Sequence, residues 1–159
     1  MSKVKEKKSP AVANGNPAID TQGVVRVLNK ALELELAGVV RYMHYSFMIF
    51  GHNRIPIVKW LREQATESMQ HAERAGEHVT HLGGHPSLQI GDLLETHKHM
   101  VDEILAESHG HETEGLEAYR ELLELVRDKD IMLEEYARAM ISAEQEHLHE
   151  IKKMMRRPA

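Results

Sequence analysis

Two short stretches carry the chemistry in this chain: Glu144-Gln-Glu-His147 near its end, and Ser68-Met-Gln-His71 in its first half. On a helix, the first and fourth residues of each stretch lie one turn apart and share a face. A carboxylate and an imidazole so placed can meet one metal ion. The earlier stretch has its imidazole but carries Ser68 where its counterpart has Glu144. Residues of this kind have to be gathered by several elements, so the rest of the chain must supply a scaffold that points them inward.

The composition suits a helical scaffold. The chain has 159 residues, enough for one domain with a substantial core. Five Pro, four Tyr, two Phe and one Trp stand against many Leu, Glu, Ala and Met. Cys is absent, which removes disulfides and thiolate metal sites and favours a reducing, cytoplasmic setting. The formal charge of −5, with acidic and basic residues mixed, argues against strong attraction to nucleic acid. No apolar run approaches the roughly 18 residues of a membrane span, and the Lys-bearing start lacks a signal peptide's apolar segment. Twelve His are more than solubility requires, and imidazole is the commonest protein metal ligand.

Residues 1–17 have no apolar period and read as a flexible tail, and 18–157 read as the folded domain. Lys3, Lys5, Lys7 and Lys8 leave a DNA-binding arm as a minor alternative. Asp20 or Thr21 caps a first helix that the pattern carries to about Phe50. Glu35 sits in the middle of its apolar stripe, where a carboxylate is costly without a cation or donor, and Glu33 points away to the surface. A second helix starts near Ile55-Pro56 and stops at Gly83-Gly84-His-Pro86, with Ser68 on its inner face and His71 on the shoulder. After a connection over Ser87 to Asp92, a third helix is expected to begin near Asp92 or Thr96. Glu112 is central on its inner face, and His111 points elsewhere. Arg127-Asp-Lys-Asp130 is the turn into a fourth helix, with Glu144 central and His147 on its shoulder.

The four helices fall into two similar halves, each a lone inward Glu followed by a helix with an inward His. Glu35 to His71 spans 36 positions and Glu112 to His147 spans 35, which predicts a pseudo-twofold bundle. Glu35, His71, Glu112, Glu144 and His147 supply carboxylate oxygens and imidazole nitrogens that iron accepts in both its common oxidation states. Tyr42 and Tyr119, on the same inner faces, can hydrogen-bond these ligands or lend an electron. Any one of the five has an ordinary explanation as a salt-bridged Glu or a satisfied core His. Five centred or shouldered on four separate faces point to a metal site.

With those residues in view, the sequence resembles bacterioferritin and its ferritin-like relatives. Val25-Arg-Val-Leu-Asn-Lys-Ala-Leu-Glu-Leu-Glu35-Leu and Met69-Gln-His71-Ala-Glu-Arg resemble that family's first two helices. Leu82-Gly-Gly-His-Pro-Ser-Leu88 resembles its turn into a long crossover. The resemblance covers about Val24 to Met155. It implies an all-α, left-handed four-helix bundle with a long crossover between the second and third helices. It also implies Fe(II) oxidation at an intra-subunit di-iron centre and storage of ferric mineral in a hollow homo-oligomer. By position, Glu35 and Glu112 resemble the terminal ligands, Glu144 a bridging carboxylate, and His147 and His71 the two imidazoles.

Ser68 replaces the family's other bridging carboxylate. Glu67, next to it but about 100° around the helix, or Glu63 one turn earlier, could reach in; otherwise the site has one bridge fewer and holds a single metal or loses ferroxidase activity. Met69 matches the residue whose sulfur ligates haem b between paired subunits, with the small Val58, Ala65, Ala72 and Gly76 nearby. The family's short fifth helix has no counterpart, which leaves a dimer or a twelve-subunit shell open beside the twenty-four-subunit one. A haem- or single-metal-binding protein without ferroxidase activity is the alternative expectation, and a DNA-protecting mini-ferritin a third.

Overall fold

The computed structural model describes residues 18–157. Four helices follow one another: α1 (Thr21–Met48), α2 (Arg54–His81), α3 (Val101–Val126) and α4 (Ile131–Met155). The N-terminal segment, with its four Lys, lies outside the described residues. Helix α1 opens on Asp20, whose carboxylate accepts from the Gly23 N–H at 3.0 Å, and α4 opens on Asp130, which accepts from Leu133 at 2.9 Å. Lys152 and Lys153 lie in the last turn of α4, where positive charge suits the helix dipole.

The all-α four-helix bundle expected from the pattern is the observed fold. Helix α1 packs against α2 and α3, and α3 packs against α4. Helices α2 and α4 nowhere bring their Cα atoms within 8 Å, so their seam is bridged by side chains alone. Apolar clusters close the bundle at both ends. Leu28, Leu122, Leu133 and Met140 fill one end, and Ile49, Leu61 and Ile104 the other, all buried. Each such side chain contributes about 1.5–3 kcal/mol, which offsets a belt of buried charge held between the two clusters.

Two boundaries differ from the sequence reading. Helix α3 begins at Val101, not near Asp92 or Thr96, so the crossover runs from Leu82 to Met100. Asp92-Leu-Leu-Glu-Thr has helical composition, but α1 holds the backbone at its start. The Gly91 N–H donates to the Glu33 carbonyl at 2.8 Å, and the Asp92 carbonyl accepts from Arg41 at 2.8 Å. Asn29 donates to the His85 carbonyl and accepts from the Ser87 N–H. Glu33 is therefore half-buried and accepts from the Ser87 hydroxyl, where the helical pattern had set it on the open surface. The first helix also ends slightly early, at Met48, because Ile49 adopts extended backbone.

Candidate metal centre

The belt between the apolar clusters gathers side chains from all four helices. Glu35 (α1), His71 (α2) and Glu144 (α4) form one group whose ligand atoms lie within 4.8 Å of one another; Glu112 (α3), Glu144 and His147 (α4) form a second. Glu144 belongs to both. The Nδ1 of His71 is 3.3 Å from Glu35 and 3.6 Å from Glu144, and the Nδ1 of His147 is 3.4 Å from Glu112. The two imidazoles stack across the α2–α4 seam with centroids 6.3 Å apart. Both therefore turn the same nitrogen toward the carboxylates.

The twofold pattern extends to the tyrosines. Tyr42 follows Glu35 by seven residues and Tyr119 follows Glu112 by seven, two helical turns in each case. Each phenol crosses to the opposite helix. Tyr119 donates to Glu35 at 2.8 Å, and Tyr42 donates to Glu112. Both carboxylates are thus fixed from the α1–α3 side while the imidazoles approach from the other.

The family model described as "Ferritin-like domain" matches residues 25–158. The chain belongs to the ferritin-like family. It is 29% identical over 126 residues to the bacterioferritin of Desulfovibrio desulfuricans, covering 79% of this chain and 70% of that protein. The X-ray structure of the Desulfovibrio desulfuricans bacterioferritin, described with its diiron site in different catalytic states, matches with a TM-score of 0.76 at 26% identity, covering 85% of this chain and 79% of that one. A dodecameric thioferritin from Bacteroides fragilis has a TM-score of 0.77 at 20% identity, with 85% of each chain covered. A ferritin-like, diiron-carboxylate protein from Bacillus anthracis has the same score and identity, covering 86% of this chain and 98% of that one. The last two likenesses concern the fold.

The electrostatics of this ferritin-like site suit a cation. Burial raises the Glu35 carboxyl, against the pull of His71. Burial also raises Glu144, helped by its hydrogen bond to Glu112 and that group's negative charge. Burial opposes ionisation of Glu112 as well, but hydrogen bonds from His147 and Glu144 win and hold it below the usual carboxylate range. His147 is pushed up to about 9, because Glu112 outweighs the desolvation of the charged ring. Without metal, these groups hold protons to neutralise one another. Three buried carboxylates with two imidazoles form an oxygen-rich, nitrogen-supported donor set that fits iron.

The residues at the edge of the site distinguish the structure from the pattern. Ser68 is buried and brings no carboxylate. Glu67 does swing toward the site, but its oxygens lie 3.1 Å from Nε2 of His147 and 3.9 Å from Nε2 of His71. It thus approaches the outer nitrogens of both rings. Glu63 stays exposed and pairs with Lys59 at 3.7 Å. Met69 is 42% exposed, as its position off the inner face implies; of the small residues around it Ala65 and Ala72 are buried in the bundle, Val58 is nearly so, and Gly76 has open space where a Cβ would stand. The same helix lines an open pocket of about 740 Å³ with Val58, Arg62, Thr66 and Gln70.

His111 is the residue whose position the pattern missed. It is buried, not pointing elsewhere, and lines the same small cavity as Glu35, Glu112 and Glu144. The signal was present: His111 follows inward-facing Ser108 by three residues, the offset that puts His147 on the shoulder of Glu144.

Proposed function

We propose that this ferritin-like protein binds Fe(II) at the Glu35, His71, Glu112, Glu144 and His147 cluster, oxidises it and stores the ferric product. The observation that carries the reading is the sharing of Glu144 between two three-residue groups, each with an imidazole Nδ1 facing it. Glu35 with His71 would hold one metal, Glu112 with His147 the other, and Glu144 would bridge them. Iron held in this way supplies electrons to dioxygen or hydrogen peroxide. The chain's part is to position and to exclude. Tyr42 and Tyr119 fix the two terminal carboxylates, Glu67 steadies the imidazoles from outside, and the apolar layers keep bulk water out.

Storage needs an assembly around the mineral. Val40, Met43 and Phe47 leave an exposed apolar stripe on α1, which supports self-association into dimers and a twelve- or twenty-four-subunit shell. No helix among the described residues is long and apolar enough to cross a membrane. Absence of Cys supports a cytoplasmic setting. A second reading is favoured by Ser68: with one bridging carboxylate in place of two, the cluster binds a single metal without efficient oxidation.

Aerobic Fe(II) addition to metal-free protein separates the two. Ferric absorbance that rises much faster than in buffer, with two irons bound per chain, supports the ferroxidase. One iron bound, or a rate equal to buffer, leaves the binding protein.

A further inference from the structure

Twelve His are more than the centre uses, and three of the others come together where the crossover meets α1. His97 and His99 lie on the last stretch of the crossover, and His44 lies on α1. All three line one cavity of about 160 Å³, with Met48 and Glu107 also in its wall. The His44 and His99 rings stand 5.7 Å apart, centroid to centroid. Helical period could not show this convergence, because His97 and His99 belong to no helix.

Glu107 of α3 holds this corner together. One of its oxygens accepts from the Tyr45 hydroxyl at 2.7 Å, and the other accepts from the Thr96 hydroxyl. Tyr45 adjoins His44 and Thr96 adjoins His97, so a single carboxylate fixes the α1 wall of the cavity against the crossover wall. The Thr96 hydroxyl also accepts from the Lys98 N–H at 3.3 Å. His97 itself takes left-handed backbone, with φ 54°. Among the described residues Asp128, in the α3–α4 turn, is the other non-glycine residue to do so. Backbone of this kind costs of order 1–3 kcal/mol and gathers at ligand sites.

Two imidazoles on one tetrahedral metal, with metal–nitrogen bonds of about 2.0–2.1 Å, place their ring centroids roughly 5 Å apart. Neighbouring ligands in a square plane, which copper(II) favours, place them about 4.5 Å apart. The observed 5.7 Å is nearer the first. We propose that His44, His97 and His99 form a second metal site, which takes Zn(II) and clips the crossover to α1. His44 and His97 are exposed and His99 is half-buried, so side-chain rotation brings three nitrogens onto one ion. The Met48 sulfur or a water fills the fourth position. A three-nitrogen site open to water favours Zn(II) over Fe(II) and Co(II), which the charged carboxylates of the centre hold more firmly. No ligand is shared with the iron centre, so neither reading depends on the other.

Equilibrium dialysis against Zn(II) tests the full chain beside two variants, His44→Ala and His99→Ala. Each variant should bind one zinc fewer per chain than the unchanged protein and oxidise Fe(II) at an unchanged rate. Trypsin supplies an independent readout, because Lys98 is exposed between the two crossover imidazoles. Cleavage there needs the crossover open, and the metal binds it closed. At a hundred times its Kd, Zn(II) should therefore slow cleavage after Lys98 about a hundredfold, relative to cleavage elsewhere in the chain. Neither variant should show that protection, and Fe(II) under nitrogen should not confer it on the unchanged chain. A zinc count equal in all three proteins, cleavage after Lys98 indifferent to Zn(II), or equal protection by Fe(II) overturns the proposal. Should a variant fail to fold, the response of the unchanged chain to Zn(II) and to Fe(II) decides.

Discussion

Replacing Glu144 with Gln separates the metal site from the fold. Glu144 is 3% exposed and the residue common to both ligand groups, so its loss removes one of three ligands from each. In the metal-free protein the substitution is mild. Glu144 holds its proton and hydrogen-bonds to Glu112, and a Gln amide can donate in its place. Metal binding is another matter. Free metal at a hundred times its Kd stabilises the native state by about 2.7 kcal/mol per site, which for a chain of this size is roughly 5–10 °C in Tm. Loss of a supporting partner alone costs 10–100-fold in affinity, and loss of a charged ligand costs at least the upper figure. A hundredfold loss leaves about 0.4 kcal/mol of that stabilisation, close to 1 °C. Thermal unfolding with and without Co(II) reads both quantities. The expected result is a metal-free Tm within roughly 2 °C of the unchanged protein and a metal-induced shift that almost disappears. Glu144→Ala should lose the shift and also lower the metal-free Tm, because Glu112 is left buried without one of its donors. A Gln variant with the full metal-induced shift would show that Glu144 does not bridge, and the site reasoning would be wrong.

Other perturbations test neighbouring parts of the centre. Glu67→Gln should weaken metal affinity about tenfold without changing the number of metals bound; a drop from two to one in isothermal titration would make Glu67 a ligand. Raising pH from 7 to 9.5 should lower the metal-free Tm. His147, at about 9 in the fold against 6.5 when free, contributes stability that is full below 6.5 and lost as pH rises through 9. Glu144, also raised, acts in the same direction, while Glu112, lowered, is already ionised throughout. Over the same range, metal affinity should increase about tenfold per unit for each proton displaced; a flat titration would mean that metal does not compete with these protons. Ser68→Glu should destabilise the protein by about 1–3 kcal/mol through overpacking, and His111→Ala should recover part of that loss in the double variant, read by denaturant unfolding. No recovery would show that His111 does not occupy the room a longer side chain needs.

What the sequence disclosed and what it withheld have a common physical origin. Helical period is a property of each segment alone, so the four inner faces, the cap at Asp20, the turn ending at Asp130 and the central placing of Glu35, Glu112 and Glu144 could all be read from spacing. The start of α3 could not, because Asp92 is committed to Arg41 and Gly91 to Glu33 on another helix, and local propensity carries no trace of those bonds. Side-chain reach was equally hidden. Glu67 lies about 100° from the inner face, but the α2–α4 seam is wide enough for its carboxylate to bend back to both imidazoles. His111 shows the same limit from the other side. Its inward turn uses the room left by the missing Cβ of Gly38 on α1, which also faces Ser68 on α2. The substitution that looks like a deficit when α2 is read alone lies, in the folded bundle, against the same glycine as a new imidazole. The Ser68 and His111 positions therefore have to be changed together before the loss of a bridging carboxylate can be interpreted.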